Sequence, residues 1–224
     1  MNSTTAKLIE AEEVAIRLFN EIADRDLIVA GKSEIEVSEE VFDLARELFG
    51  IEKHWHKRIV RAGENTLLPY HDNPPNLTIR EDDIVFLDFG PILEDWEADL
   101  GRTYVIGNDP YKHKLKRDVE LAWLEANEWF GRHSKLTGSE FYVYVMELTS
   151  RYGWTYGNEM AGHIIGEFPH QKLEPENYRL YVHKDNHTDM ILPDSDGQTR
   201  NWILEIHFVD RERKIGGFFE QLLR

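Results

Sequence analysis

The chain puts carboxylates where a folded protein least tolerates them. Asp88 lies in the middle of IVFLDFG, residues 84–90, whose apolar character marks a buried strand. An acid there is costly unless it is paired, hydrogen-bonded or bound to a metal. In WILEIHFV, residues 202–209, Trp202, Leu204, Ile206 and Phe208 take one face of a strand, while Ile203, Glu205, His207 and Val209 take the other. Glu205 and His207 therefore share a side. In GGFFEQLL, residues 216–223, Phe218, Glu220 and Leu222 alternate in the same way. Asp99 opens another strand, DLGRTYVIG at 99–107, and the eight-residue connection from the first suits a wide hairpin. In such a hairpin Asp88 and Asp99 can converge on one face, and a pair of anions attracts a cation. Three of these acids also have an ordinary explanation: a pairing of one aspartate with Arg102, a turn cap for the other, a solvated edge strand for Glu220.

Helical periodicity frames these strands. Leu8, Ile9, Val14, Leu18, Phe19 and Ile22 predict an amphipathic helix over 6–24. A second helix is expected with Ser38 as N-cap, Val41, Phe42, Leu44, Ala45 and Leu48 on its apolar face, and Gly50 closing it. NTLLPYHDNPPN, residues 65–76, holds three prolines and reads as a loop. Two further helices follow, one over 113–133 and one opened by the capping box of Thr137 and Glu140 and ended by Gly153. Helices, strands, helices and strands in that order, with no repeat and no linker, give an α+β class and one domain over 1–224.

Composition removes several kinds of chemistry. The chain has no cysteine, so a metal has to be held by His, Asp and Glu. Its 42 acidic against 26 basic residues leave a formal charge of −16, which repels phosphate backbones and anionic lipids, so no nucleic-acid and no membrane partner is expected. No apolar run approaches membrane-span length and the polar N-terminus lacks a secretory pattern, which makes the cytoplasm the default location. A homodimer fits the general habit of soluble enzymes, with no interface legible.

Histidines supply the other half of a site. AGHIIGEFPH carries His163 and His170, with glycines that let backbone approach closely; a lone histidine there is as readily a core or loop residue. His71, in LPYHDNPP, reads equally as a turn residue. His207 shares a face with Glu205 and is open to a supporting role, as is Thr103. His54 and His56 flank Trp55 in an expected strand and read as half-exposed structural residues.

Taken in order, Asp88, Asp99, His163, Glu205 and Glu220 resemble the Asp-Asp-His-Glu-Glu metal ligands of the pita-bread metallopeptidases, the group of methionine aminopeptidase, aminopeptidase P, prolidase and creatinase. DIVFLDFGPILEDWEADLGRTYVIG looks like the family's strand, loop and strand with two aspartates. RAGENTLLPYH is similar to the stretch bearing a substrate-contacting histidine, here His71, and GHIIGEFPH to the Gly-His-Gly-Ile-Gly segment with its second histidine, here His170. Ile164 and Ile206 stand where the family usually has glycine and proline, and fifteen residues separate Glu205 from Glu220.

The resemblance implies a pita-bread fold, a curved antiparallel sheet covered by helices; unlike many aminopeptidase P and prolidase members, the chain opens almost directly on that domain, so no separate N-terminal domain is expected. It implies two divalent ions, manganese, cobalt, iron or zinc, with Asp99 and Glu220 bridging both, Asp88 on one, and His163 and Glu205 on the other. Water shared between the ions is then activated to attack a scissile carbonyl, with Glu205 as general base and His71 and His170 serving the oxyanion or the leaving nitrogen. The implied activity is that of an aminopeptidase or dipeptidase on a small peptide or amide, with an Xaa-Pro preference. Two alternatives stay open: a non-peptide C–N hydrolase of the creatinase or ectoine-hydrolase kind, and a noncatalytic peptide-binding module.

Overall fold

Local chemistry fixes the four helices. In the computed structural model, which describes residues 3–170, 172–174, 176–194 and 197–224, α1 spans Ser3–Asp24 and buries Leu8, Ala11, Ala15, Leu18, Phe19 and Ile22. Helix α2 (Glu34–Phe49) has its N-cap five residues before the expected one. Ser33 is its N-cap, closing a capping box with Glu36, and Gly50 ends it in the left-handed region at φ 66°. Ser38 sits inside the helix and instead accepts from Arg58 Nε at 3.2 Å. Helix α3 (Pro110–Gly131) begins at an Asp109 cap with proline at its first position, and α4 (Gly138–Tyr152) has the Thr137 and Glu140 box and the Gly153 terminus that its sequence announces.

Among the described residues seven strands form one antiparallel sheet. In chain order they are β1 (Ile59–Ala62), β2 (Ile84–Phe89), β5 (Leu100–Val105), β6 (Thr155–Tyr156), β7 (Ile164–Ile165), β8 (Asn201–Asp210) and β9 (Ile215–Leu222), with a small hairpin of β3 (Ile92–Leu93) and β4 (Trp96–Glu97) set into the β2–β5 connection. The spatial order is β1, β2, β5, β9, β8, β6, with β7 also paired to β8. The strand expected around Trp55 lies a few residues later, at Ile59–Ala62.

Strict alternation along the strands separates two faces. Helices α3 and α4 pack on Trp202, Leu204, Ile206, Phe208 and Phe219, and α1 and α2 pack on Val85, Leu87, Phe89 and Leu100. All of these point to one side, and by the period of two their neighbours Asp88, Glu205 and Glu220 point to the other. The helices thus seal one face while the opposite face stays open as a cavity. Glu12 of α1 fastens the two layers by accepting the Leu222 N–H at 2.9 Å.

Candidate metal centre

Strand register builds the site. Asp88 of β2 pairs with Gly101 of β5, Gly101 with Glu220 of β9, and Glu220 with Glu205 of β8. One row across four strands therefore carries three acids, with a glycine making room between them. Asp99 joins the row from just before β5. The fifteen-residue interval between the glutamates is the β8–β9 hairpin itself, which sets the two side chains directly opposite each other. Like charges so placed repel and destabilise a sheet unless something neutralises them.

His163 enters from the segment before β7. Gly162, at φ 136°, lets its backbone lie against β8: a Cβ there would stand 2.0 Å from the Ile203 carbonyl oxygen. The His163 carbonyl accepts the Ile203 N–H at 2.8 Å. Its Nδ1 faces the Ile164 carbonyl oxygen at 2.8 Å, so that nitrogen carries the proton and Nε2 turns to Asp99 Oδ2 at 3.2 Å and to Glu205 and Glu220, each at 3.9 Å. A second imidazole mirrors this one. His56 holds Nδ1 at 2.8 Å from the Lys57 carbonyl oxygen and points Nε2 at Asp99 Oδ1, 3.0 Å away, and Asp88 Oδ1, 3.5 Å away.

These side chains alone do not tolerate full ionisation. Burial pushes Asp88 up to about 7, with Asp99 and Glu205 adding to the rise and His56 opposing it. Burial also lifts Glu205 to about 7, His163 pulling the other way. Glu220 is driven well above the ordinary carboxylate range by burial and by Asp99, Asp88 and Glu205. Only Asp99 falls: burial would raise it, but His56 and His163 outweigh that. Glu220 Oε2 is buried and has no hydrogen-bond partner. Donor atoms of His56, Asp88 and Asp99 lie within 4.8 Å of one another, as do those of Asp99, His163 and Glu220. A hard, cysteine-free donor set with an orphaned carboxylate oxygen fits divalent cations.

Residues 6–199 match the family model described as metallopeptidase family M24. The chain belongs to that family. Among curated relatives of this M24 chain, the Xaa-Pro dipeptidase of Pyrococcus horikoshii is 28% identical over 160 residues, 67% of this chain and 44% of that protein. That of Pyrococcus furiosus is 28% identical over 182 residues, 77% of this chain and 51% of that protein. The chain thus spans about half the length of the curated relatives it matches. Among solved structures, the X-Pro aminopeptidase of Thermotoga maritima superposes with a TM-score of 0.78 at 23% identity, covering 98% of this chain and 57% of its own. Methionine aminopeptidase of the same organism gives 0.73 at 17%, covering 99% and 92%. The architecture is the pita-bread fold of the M24 proteins.

Not every residue singled out in the sequence of this M24 chain reaches the site. A cavity of about 540 Å³ is lined by Asp88, Asp99, His163, Glu205 and Glu220, and also by His71, His207 and His56. His71 stands exposed on the wall. His170 does not line the cavity: its Nδ1 is in contact with the buried Glu97 carboxylate and its ring packs edge-on against Trp55, 5.2 Å between centroids. His207 bonds the Thr66 carbonyl oxygen through Nε2 at 2.8 Å, and burial holds it down at about 4, so it is a neutral donor. Thr103 Oγ1 donates to the Phe218 carbonyl oxygen at 2.8 Å and accepts the Phe218 N–H at 2.7 Å, clamping β5 to β9 beneath Glu220.

Three contributors escape the sequence. His56 is 5% exposed at its side chain, not half-exposed, and His54 alone keeps a structural position, between Phe42 and Phe89. Trp55 touches both His56 and His163 while donating Nε1–H to the Ala98 carbonyl oxygen at 3.0 Å. Asn158 donates to Glu205 Oε2 at 3.2 Å. The signal available for His56 is Gly90, directly after the acid-bearing strand, where backbone meets a close neighbour.

Proposed function

We propose that this chain is the catalytic part of a metal-dependent aminopeptidase or dipeptidase that prefers Xaa-Pro substrates. The observation that carries the reading is the in-register row of acids, completed by Asp99 and His163, opening into a single cavity with an apolar wall. Asp88, Asp99, His163, Glu205 and Glu220 are the residues that would hold two divalent ions. Such ions, when bound, would supply Lewis-acid polarisation of the scissile carbonyl and bring the pKa of water at the site towards neutrality.

The side chains do the rest. Glu205 keeps 13% of its side chain exposed, is oriented by Asn158 and accepts the proton of the attacking water as general base. His71, free on the wall, donates to the developing oxyanion. Ile59, Pro69, Phe86 and Phe218 form a dry surface for a pyrrolidine ring, which the names of the Pyrococcus relatives favour as substrate group. Trp55 and Tyr70 shield the acids from bulk water, which strengthens every charge interaction inside.

The protein stripped of metal and reloaded separately with manganese, cobalt, iron or zinc is assayed against peptides varied at their first two positions. Xaa-Pro peptides are cleaved, and Asp99→Ala loses activity by several orders of magnitude. Turnover of guanidino or cyclic amide compounds in place of any peptide transfers the site to C–N hydrolysis of another class. Peptide binding that survives Asp99→Ala, without turnover by any metal form, marks a binding module.

A further inference from the structure

We propose that His56 is itself a metal ligand, so that each of the two cations is held by one imidazole, His56 with Asp88 on one side of Asp99 and His163 with Glu220 on the other. This rests on the reading of the site as a pair of cation sites and adds to it a ligand that the family resemblance does not assign.

The first argument is the direction of the lone pair. The Lys57 carbonyl oxygen, 2.8 Å from Nδ1, accepts that nitrogen's N–H and so leaves Nε2 as the ring nitrogen available to a second proton or to a metal. Nε2 then faces two carboxylate oxygens at 3.0 and 3.5 Å, a place for a positive centre, which the ring's own second proton fills while no cation is bound and which a cation fills on displacing that proton. His163 is arranged identically: Nδ1 is committed to the carbonyl oxygen of the next residue, and Nε2 is turned to the other oxygen of Asp99 at 3.2 Å. Ligands at ~2.1 Å from a first-row ion stand about 3.0 Å apart along an octahedral edge and about 3.4 Å along a tetrahedral one. The spacings of His56 to Asp99 and Asp88 and of His163 to Asp99 lie near those edges, while Glu220 and Glu205 stand farther from His163, at 3.9 Å each.

A second argument comes from the backbone, which is built to put His56 there. The Trp55 N–H donates to the Gly90 carbonyl oxygen at 2.9 Å, the Ile92 N–H to the Lys53 carbonyl oxygen at 3.0 Å, and His54 bridges to Pro91. The chain around Trp55 is therefore tied along the exit of β2. A Cβ on Gly90 would stand 2.4 Å from His56 Nε2 and 2.3 Å from Trp55 Nε1, so any side chain at position 90 expels the imidazole. A residue merely filling space over the acids needs neither the fixed tautomer nor the cleared approach. A further borderline nitrogen also shifts preference, favouring zinc and cobalt over manganese at the His56 side.

The test reads ligation, not turnover. Full-length protein labelled with nitrogen isotope in its histidine rings is stripped, titrated with zinc, and examined by long-range proton–nitrogen NMR, which separates metal-bound, bare and protonated ring nitrogens; elemental analysis counts the bound ions. The expected result is two ions per chain and metal-bound Nε2 signals from both His56 and His163. His56→Gln, which keeps a hydrogen-bonding group beside the acids, loses one of these signals and weakens one zinc by at least ~10-fold, the scale at which ligand-shell changes act. His163→Gln loses the other. Two ions with a bare or proton-donating His56 Nε2 overturn the proposal and leave the pair of cation sites intact. One ion with a doubly protonated His56 also overturns it, the imidazolium then standing where the second cation was assigned. No bound ion at all overturns the metal reading of the site along with it. The wild-type spectrum decides the matter even where a variant does not fold.

Discussion

Stripping the metal is expected to invert the pH dependence of stability in a way set by the acid row. Asp88 is raised from 3.8 to about 7 and Glu205 from 4.5 to about 7 in the folded chain when no cation neutralises them. A carboxyl with a raised folded value binds more protons folded than unfolded across this window, so its contribution is full below the unfolded value and is lost as pH climbs through about 7. Between about pH 5 and about pH 8, each group alone costs the metal-free protein ~2.5 kcal/mol, and because they interact the two costs do not simply add. For a chain of this size one such contribution lowers the melting temperature by roughly 5–10 °C. Adding metal reverses the loss, each ion contributing ~2.7 kcal/mol at about a hundred times its dissociation constant. The assay is differential scanning fluorimetry of stripped and manganese-loaded protein at both pH values, with Glu220→Gln alongside. That variant carries a permanently neutral group where the folded chain prefers a protonated one. Stripped, it should melt above stripped wild type at alkaline pH, show a flatter pH response and gain little from manganese. Stripped wild type that is as stable at alkaline as at mildly acidic pH, together with a Glu220→Gln variant that melts lower, would refute the reasoning.

Three further outcomes follow from the packing. Gly162→Ala sets a side chain against the Ile203 carbonyl oxygen in a backbone region that L residues rarely adopt; a loss of about 3 kcal/mol or more by urea unfolding is expected, with an unchanged midpoint refuting the close approach. Ser33→Ala removes the cap of α2 and should cost ~1 kcal/mol, whereas Ser38→Ala, losing one bond from Arg58, should cost less; the reverse order in chemical denaturation would restore Ser38 as the cap. His207 is held at about 4 against 6.5 for a free ring, so its contribution is complete above 6.5 and up to ~3 kcal/mol is lost as pH falls towards 4; an NMR titration midpoint near 6.5 would contradict this.

The strand acids are legible because alternation makes a polar residue conspicuous: Glu205 stands out only because Leu204 and Ile206 are so plainly core. Thr137, Glu140 and Gly153 are equally local, since a cap is decided within one turn of helix. Ser33 carries the same signal through Glu36, and Ser38 competes with it because it directly precedes a longer apolar stripe. His56 is hidden for a different reason. Residues 51–58 have no periodicity of their own, and the ring is placed by backbone bonds to Gly90 and Ile92, whose partners cannot be read from either segment alone. His170 has the spacing of its motif, yet Glu97, carried in by the small β3–β4 hairpin, captures its ring. Only the three-dimensional approach of that hairpin could reveal the competition.

The hairpin of β8 and β9 has a practical consequence for anyone altering this chain. Because ladder bonds from Ile203–Leu222 through Asp210–Ile215 hold Glu205 opposite Glu220, the tip at residues 211–214 lies beyond the pairs that align the acids. A one-residue deletion within either strand exchanges Glu220 with a neighbour facing the helices and turns an apolar ring inward, whereas inserted sequence at the tip leaves the alignment untouched. Reporter tags, affinity handles or new chain ends are best grafted there.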